Sequence, residues 1–338
     1  MDDNKLRIKK FLPFPKADLF ELYELDILEY FKGDAEVYLE IINDNAFERL
    51  KDIKLLGALD YLFRRKGAPD SNNQSRYQHS LGVATLALYY SKLLKLSIED
   101  EQLIVIAALL HDIGHSPLSH SLEPQFILHF KLDHHKAGEL IIRGRAPITT
   151  RINSILKNHN ISVDEVNALI NGNSKSEHAF LFNSKFNIDT IDGILRSYDF
   201  LAKKPSNLNR YEVLTQIIGK KLTLKNLKIM DNFWKIKNVV YRDYIFGERN
   251  YLADLSVQKY MEMHIKQFKF EDYFLNETEL SKQHPSLFKF MTASPGKTTT
   301  SHNQRWYVID KGQIIDDVDK IPKRYKSALY RPPLGDIV

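Results

Sequence analysis

The sequence predicts a mostly α-helical fold with a small C-terminal appendage containing some β-strand. Three observations carry that prediction. Through most of the chain before position 270, apolar residues recur at spacings of three and four, the period of a helix with one buried face. The run Leu103-Ile104-Val105-Ile106-Ala107-Ala108-Leu109-Leu110 is apolar on every side, as expected of a helix at the centre of a domain. Residues 304–338 change character, with short Tyr, Val and Ile stretches that favour strand.

Taken in order, residues 17–65 read as two or three helices, followed by a loop at 66–76 (KGAPDSNNQSR). A helix over 79–96 comes next. Asp100 is placed to cap another, running from about Glu101 to His111 or Asp112, with Gly114 stopping it. Further helical patterns cover 136–144, 150–158, 163–170, 189–202, 210–218 and 238–268, and the segments 171–177, 203–209 and 293–303 read as loops. In the appendage, WYVID and QIIDDV flank Lys311-Gly312, which reads as a hairpin turn. The expected organisation is an N-terminal helical segment (1–75), a central helical core (76–202), a helical extension (203–284) and the appendage (285–338).

Bulk properties narrow the chemistry. The 338 residues, 43% hydrophobic and 27% charged, suffice for a sizeable core without crosslinks. The chain contains no cysteine, which excludes disulfides, thiolate metal sites and a cysteine nucleophile. Its N-terminus lacks the apolar stretch of a signal peptide, and no run of eighteen apolar residues occurs, so a cytoplasmic protein without membrane contact is expected. The net charge of +5 suits an anionic partner such as a nucleotide, and leaves room for single-stranded nucleic acid and for a homo-oligomer.

Seven of the twelve histidines lie between positions 79 and 135, mostly within apolar helical text. Of these, His111 stands next to Asp112 at the end of the apolar helix. A buried carboxylate is costly unless paired or coordinating a metal, imidazole is the commonest metal ligand, and a helix C-terminus favours a cation. The alternative is that the two residues merely cap the helix and bond each other. Two further blocks accompany the pair: Arg76-Tyr77-Gln78-His79-Ser80-Leu81-Gly82 before it, and Ile188-Asp189-Thr190-Ile191-Asp192-Gly193-Ile194-Leu195-Arg196 after it.

Together, R-Y-Q-H-S-L-G, H-D-I-G-H-S-P-L-S-H and I-D-T-I-D-G-I-L-R resemble the HD-domain superfamily of phosphohydrolases, most of all its deoxynucleoside triphosphate triphosphohydrolase (SAM- and HD-domain) branch. The resemblance covers roughly residues 45–200 and implies an HD-domain helical core. It implies a divalent metal ion held by His79, His111, Asp112 and Asp189. This mixed nitrogen and oxygen set suits Mn, Fe, Ni or Zn, and Mg less well. It also implies catalytic roles for His115, His120 and His135, and substrate-phosphate or nucleotide contacts for Arg76, Arg196 and Tyr241. His129 and His134 read as exposed or packing residues, and Arg196 has a second reading as an i,i+4 partner of Asp192. The expected activity is hydrolysis of a nucleotide by a metal-activated water, with a dNTP triphosphohydrolase-like reaction first. A nuclease using the same metal site is the alternative, and a nucleotide sensor without turnover comes third. Three positions depart from the branch: Leu55 replaces a Gln, Gly193 a Tyr and Ser197 an Asp. All three lie at the expected sugar and base pocket and none is a metal ligand.

Overall fold

The computed structural model describes residues 27, 31, 36–63, 74–202, 206–218, 224–292, 304–312 and 321–330. The fold is mostly α-helical, with one two-stranded antiparallel sheet near the C-terminus.

Before the core lie α1 (Glu36–Ile42), α2 (Asn45–Glu48) and α3 (Ala58–Phe63). Asp44 caps α2 and also accepts hydrogen bonds from Thr150 and Arg151, which ties this segment to the rest. The centre is formed by α4 (Arg76–Leu94) packed along α5 (Ile98–Leu110). A capping box starts α4: the Ser75 N–H donates to Gln78 Oε1 (3.0 Å) and the Gln78 N–H to Ser75 Oγ (3.4 Å). That cap fixes His79 one turn into the helix. Beyond α5 follow α6 (Glu123–Phe130), α7 (His134–Ile142), α8 (Ile152–Asn158), α9 (Val163–Ile170) and α10 (Phe180–Asn183). The next helix, α11 (Ile188–Ala202), packs on α4, and α12 (Arg210–Ile218) packs on both. The extension contains α13 (Leu224–Val239), a π-helical turn (Val240–Ile245), α14 (Glu248–Met263), α15 (Glu277–Gln283) and α16 (Pro285–Thr292). The sheet pairs β1 (Gln304–Ile309) with β2 (Tyr325–Tyr330), the latter preceded by the single turn α17 (Ile321–Arg324).

One continuous cluster of buried apolar residues runs from Ile27 through the central helices to Tyr325. No helix among the described residues is long and apolar enough to cross a membrane.

Several sequence expectations need correction. The cap of α5 is Ser97, whose Oγ accepts the Asp100 N–H (3.1 Å), so the helix begins a turn earlier than Asp100 suggested. Ser97 lies in extended backbone, which a cap requires, whereas Asp100 is already helical and favours the positive end of the dipole. The pattern over 238–268 is not one helix. The π turn ends at Phe246, and Gly247, in extended backbone, opens α14. Among the described residues, the strand that pairs with WYVID is Tyr325–Tyr330. Buried polar anchors select it: Arg324 and Tyr325 both bond the Asp231 carboxylate (2.6–2.9 Å), and the Asp310 N–H donates to Arg324 O (2.8 Å). QIIDDV and the loop 293–303 lie outside the described residues.

Candidate metal centre

Three helices bring the four candidate ligands together: His79, His111 and Asp189 place ligand atoms within 4.8 Å of one another, and Asp112 lies beside both imidazoles. His79 comes from the first turn of α4, His111 and Asp112 from the end of α5, and Asp189 from the first turn of α11. The apolar girth of α5 buries it, so the polar pair at its end emerges inside the protein beside α4. Nε2 of His79 lies 3.0 Å from Asp189 Oδ1 and 3.5 Å from Asp112 Oδ2. Nε2 of His111 lies 3.5 Å from Asp112 Oδ1, 3.8 Å from Asp189 Oδ1 and 3.3 Å from Nε2 of His79.

The other nitrogen of each ring is already committed. His79 Nδ1–H donates to Asp192 Oδ2 (2.8 Å), and His111 Nδ1–H donates to the Ala108 carbonyl (2.8 Å). Carboxylate and carbonyl oxygens can only accept, so both tautomers are fixed with Nε2 turned inward. Such outer partners orient metal-binding imidazoles and raise their basicity. Two facing Nε2 atoms with two carboxylates around them call for a cation between them, and the donor set of two nitrogens and two carboxylates fits a divalent transition ion. Without one, a proton serves: burial opposes charge on His79, but hydrogen bonds to Asp189 and Asp192 outweigh it and raise its pKa to about 9. Burial opposes ionisation of Asp112 too, yet the Arg76 guanidinium and the His111 and His115 imidazoles hold its carboxyl well below the usual range.

The carboxylate of Asp192 is wholly buried and is held by Arg196 (2.9 Å), by Arg210 and by His79. It reaches this position because α4 carries Gly82 where α11 crosses. A Cβ there would overlap the Asp192 carboxylate and crowd the Arg196 guanidinium.

The residues expected to contact phosphate or nucleotide each have partners within the protein. Every guanidinium nitrogen of Arg76 is bonded inside the protein: NH1 to Asp112 Oδ2 (2.7 Å), Nε to Ser119 Oγ (3.0 Å) and NH2 to the Leu55 carbonyl (2.9 Å). Arg196 is buried and bonds Asp192 and the Gln78 carbonyl (3.1 Å), so its i,i+4 pair lies in the interior rather than on the surface. The Tyr241 ring lies in the π turn against Phe246 and Tyr307. Leu55 and Ser197 are buried, and the open flank of Gly193 faces the His79 ring.

A second group of histidines adjoins the first. His115 is buried, and its Nε2–H donates to Asp112 Oδ1 (3.2 Å). Burial, and then the charge of Arg76, keep its pKa well below the ordinary value. The His134 ring stacks on His115 at 4.4 Å and 8°, and His120 meets both rings edge-on. Glu123 accepts from Nδ1 of His134 (2.5 Å) and from Nδ1 of His120 (2.8 Å), which leaves the Nε2 atom of each ring uncommitted to Glu123. The His135 ring adjoins that of His134 at 4.1 Å, outside the group formed by His115, His120 and His134. This contact between α7 and the loop after α5 depends on Gly114, where a Cβ would strike the His134 carbonyl and the backbone of Gly138. Close approach, rather than helix termination, is what this glycine supplies, since α5 has already ended at Leu110.

Sequence reasoning passed over three members of this arrangement. Asp192 stands three residues after Asp189, a spacing that puts both on one helix face but carries no sign of its burial. Glu123 had a signal in its i+3 spacing from His120. For His134 against His135 the sequence held none, because the rotation of α7 decides which ring turns inward.

Residues 76–183 match the family model of the HD domain. Protein MG461 of Mycoplasma genitalium is 28% identical over 255 residues, 67% of this chain and 56% of that protein. Protein MJ1154 of Methanocaldococcus jannaschii is 39% identical over 116 residues, 31% of this chain and 24% of its own. Deoxynucleoside triphosphate triphosphohydrolase SAMHD1 of Homo sapiens is 38% identical over 96 residues, 26% of this chain and 14% of its own. The chain thus spans about half the length of the mycoplasma relative and less of the others.

Proposed function

We propose that this chain, which carries an HD domain over residues 76–183 and is similar there to the SAMHD1-like branch, is a metal-dependent phosphohydrolase acting on nucleotides, first of all as a dNTP triphosphohydrolase-like enzyme. The observation that carries the reading is the pair of inward-facing Nε2 atoms of His79 and His111, both tautomers fixed from behind, with Asp112 and Asp189 beside them.

His79, His111, Asp112 and Asp189 would hold the ion. A divalent cation supplies Lewis acidity and a nucleophile at neutral pH. Asp112 is kept ionised and oriented by Arg76 and His115. Glu123 fixes Nδ1–H of His134 and of His120, and an imidazolium so held can release a proton from Nε2 to a leaving oxygen. Burial opposes the charge on His134, but the hydrogen bond and charge of Glu123 raise its pKa, as suits a proton donor near neutral pH. His135 stands next in line behind it.

The test is a product panel. Purified protein with Mn²⁺ is offered deoxynucleoside and ribonucleoside triphosphates, monophosphates and short single-stranded DNA. Release of triphosphate from dNTPs is expected. Mononucleotides from DNA would instead favour a nuclease, and tight nucleotide binding with no product under any metal would favour a sensor. Full turnover by Asp112→Ala protein would falsify the metal site.

A further inference from the structure

Strand β1 packs on α13, the helix that carries Lys237, and on the π turn that follows it. Arg305, Tyr307 and Ile309 share one face of the strand, and Trp306 and Val308 the other, which is exposed. Tyr307 is buried against α13 and the π turn. Its N–H donates to Asn238 Oδ1 (2.9 Å), and its ring lies 4.8 Å from Tyr241 and 5.3 Å from Trp234. The Tyr307 hydroxyl faces the Arg305 and Tyr241 side chains.

Between these rings lies Lys237, only 8% exposed, its ammonium 4.9 Å from the Tyr307 ring centroid and 5.1 Å from that of Trp234. Among the described residues no hydrogen bond or ion pair holds that ammonium. Burial lowers its pKa to about 8, while the charges that act on it are Asp189, which supports it, and Arg305 and Lys185, which oppose it. A buried ammonium facing two further cations is unfavourable unless an anion joins it. Asp189 of the metal centre, whose side chain is half exposed, lies near enough for its charge to act on Lys237.

We propose that Lys237 and Arg305 form an anion subsite for a phosphate of the substrate's polyphosphate chain, with Tyr307 and Tyr241 holding Arg305 toward it. The C-terminal hairpin thereby completes the substrate site, a role that rests on the phosphohydrolase reading above. Cation–π contact with Trp234 and Tyr307 keeps the ammonium stationary, and the guanidinium can take two phosphate oxygens at once.

The chain has two tryptophans, Trp234 and Trp306, so Trp306→Phe protein reports on Trp234 alone. Titrating it with inorganic tripolyphosphate, without added divalent metal, should give a saturable change in Trp234 fluorescence. Adding Arg305→Gln or Lys237→Gln should weaken that binding about tenfold or more. In the protein with Trp306 intact and Mn²⁺ present, Arg305→Gln should raise KM for a triphosphate substrate while kcat stays within about threefold. Arg305 is exposed, so its replacement leaves folding intact, which circular dichroism checks. No saturable signal, or equal affinity in the Arg305→Gln protein, overturns the subsite. A single-stranded oligonucleotide that saturates with the same Arg305 dependence where tripolyphosphate does not also overturns the polyphosphate assignment. If tripolyphosphate binding depends on Arg305 but no nucleotide is ever hydrolysed, the subsite stands and the functional reading falls.

Discussion

At the scale of single residues, Asp192 shows how much a candidate ligand depends on what stands behind it. Its carboxylate fixes the His79 tautomer and neutralises two buried guanidinium groups. Asp192→Asn should therefore lower Mn²⁺ affinity by about 10–100-fold, the usual effect of losing such a partner. It should also cost about 3–5 kcal/mol of stability, because Arg196 and Arg210 lose a buried counter-charge. Calorimetric titration and urea unfolding measure the two, and affinity within twofold of the unaltered protein would sink the assignment. A second residue-scale prediction concerns Asp60. Burial, with the charge of nearby Glu277 adding to it, raises its pKa to about 7, and its Oδ1 has no hydrogen-bond partner while Oδ2 accepts from the Leu56 N–H. A raised carboxyl stabilises the fold below its unfolded pKa, and that contribution is lost as pH rises through 7. Asp60→Asn lacks the ionisation, so its stability relative to the native sequence should improve from pH 5 to pH 7 and level off above. Urea midpoints at four pH values decide it, and a constant difference would refute the burial argument. The sequence displayed Asp60 and Asp192 plainly but not their surroundings, since burial and charge pairing come from α3, α4, α11 and α12 meeting in space.

Among the elements, the loop from Asp112 to Ser121 links the two histidine groups and is braced from outside. Arg49 donates to the Ile113 carbonyl (2.8 Å) and the Leu275 carbonyl (3.1 Å). Glu277 accepts from the Lys54 N–H (2.7 Å) and the Leu118 N–H (3.4 Å), where Leu118 and Ser119 adopt left-handed backbone. A strained turn of that kind persists only when its surroundings enforce it. On the inner side, Gly114 allows α7 to approach. Gly114→Ala should push α7 outward, separating His134 from His115, so kcat should fall by about 10–100-fold while Mn²⁺ affinity changes little. Equal losses in both would mean that the substitution disturbs the metal ligands instead. The helices of the core were legible because their period is local. The order of braces was not: the left-handed turn at Leu118-Ser119 has no glycine to announce it, and Glu277 lies far along the chain.

For the whole molecule, a core continuous from the N-terminal helices to the hairpin implies that the metal is not needed to fold. Chelator-treated protein should keep its helical circular dichroism, and Mn²⁺ at 100 times its Kd should add about 2.7 kcal/mol of stability by mass action. That gain should vanish in His111→Ala protein, and an equal melting shift in both would place the ion elsewhere. Sequence alone determined the helical class, the strand-containing end and the order His79, His111-Asp112, Asp189, because helical period and short-range spacing are written along the chain. Only the tertiary structure decided that Asp192 and Ala108 fix the imidazoles, that His134 rather than His135 stacks on His115, and that Lys237 meets the hairpin. Those outcomes depend on helix rotation, on close approach at glycines and on which buried charges find a partner. None of these has a local period to read.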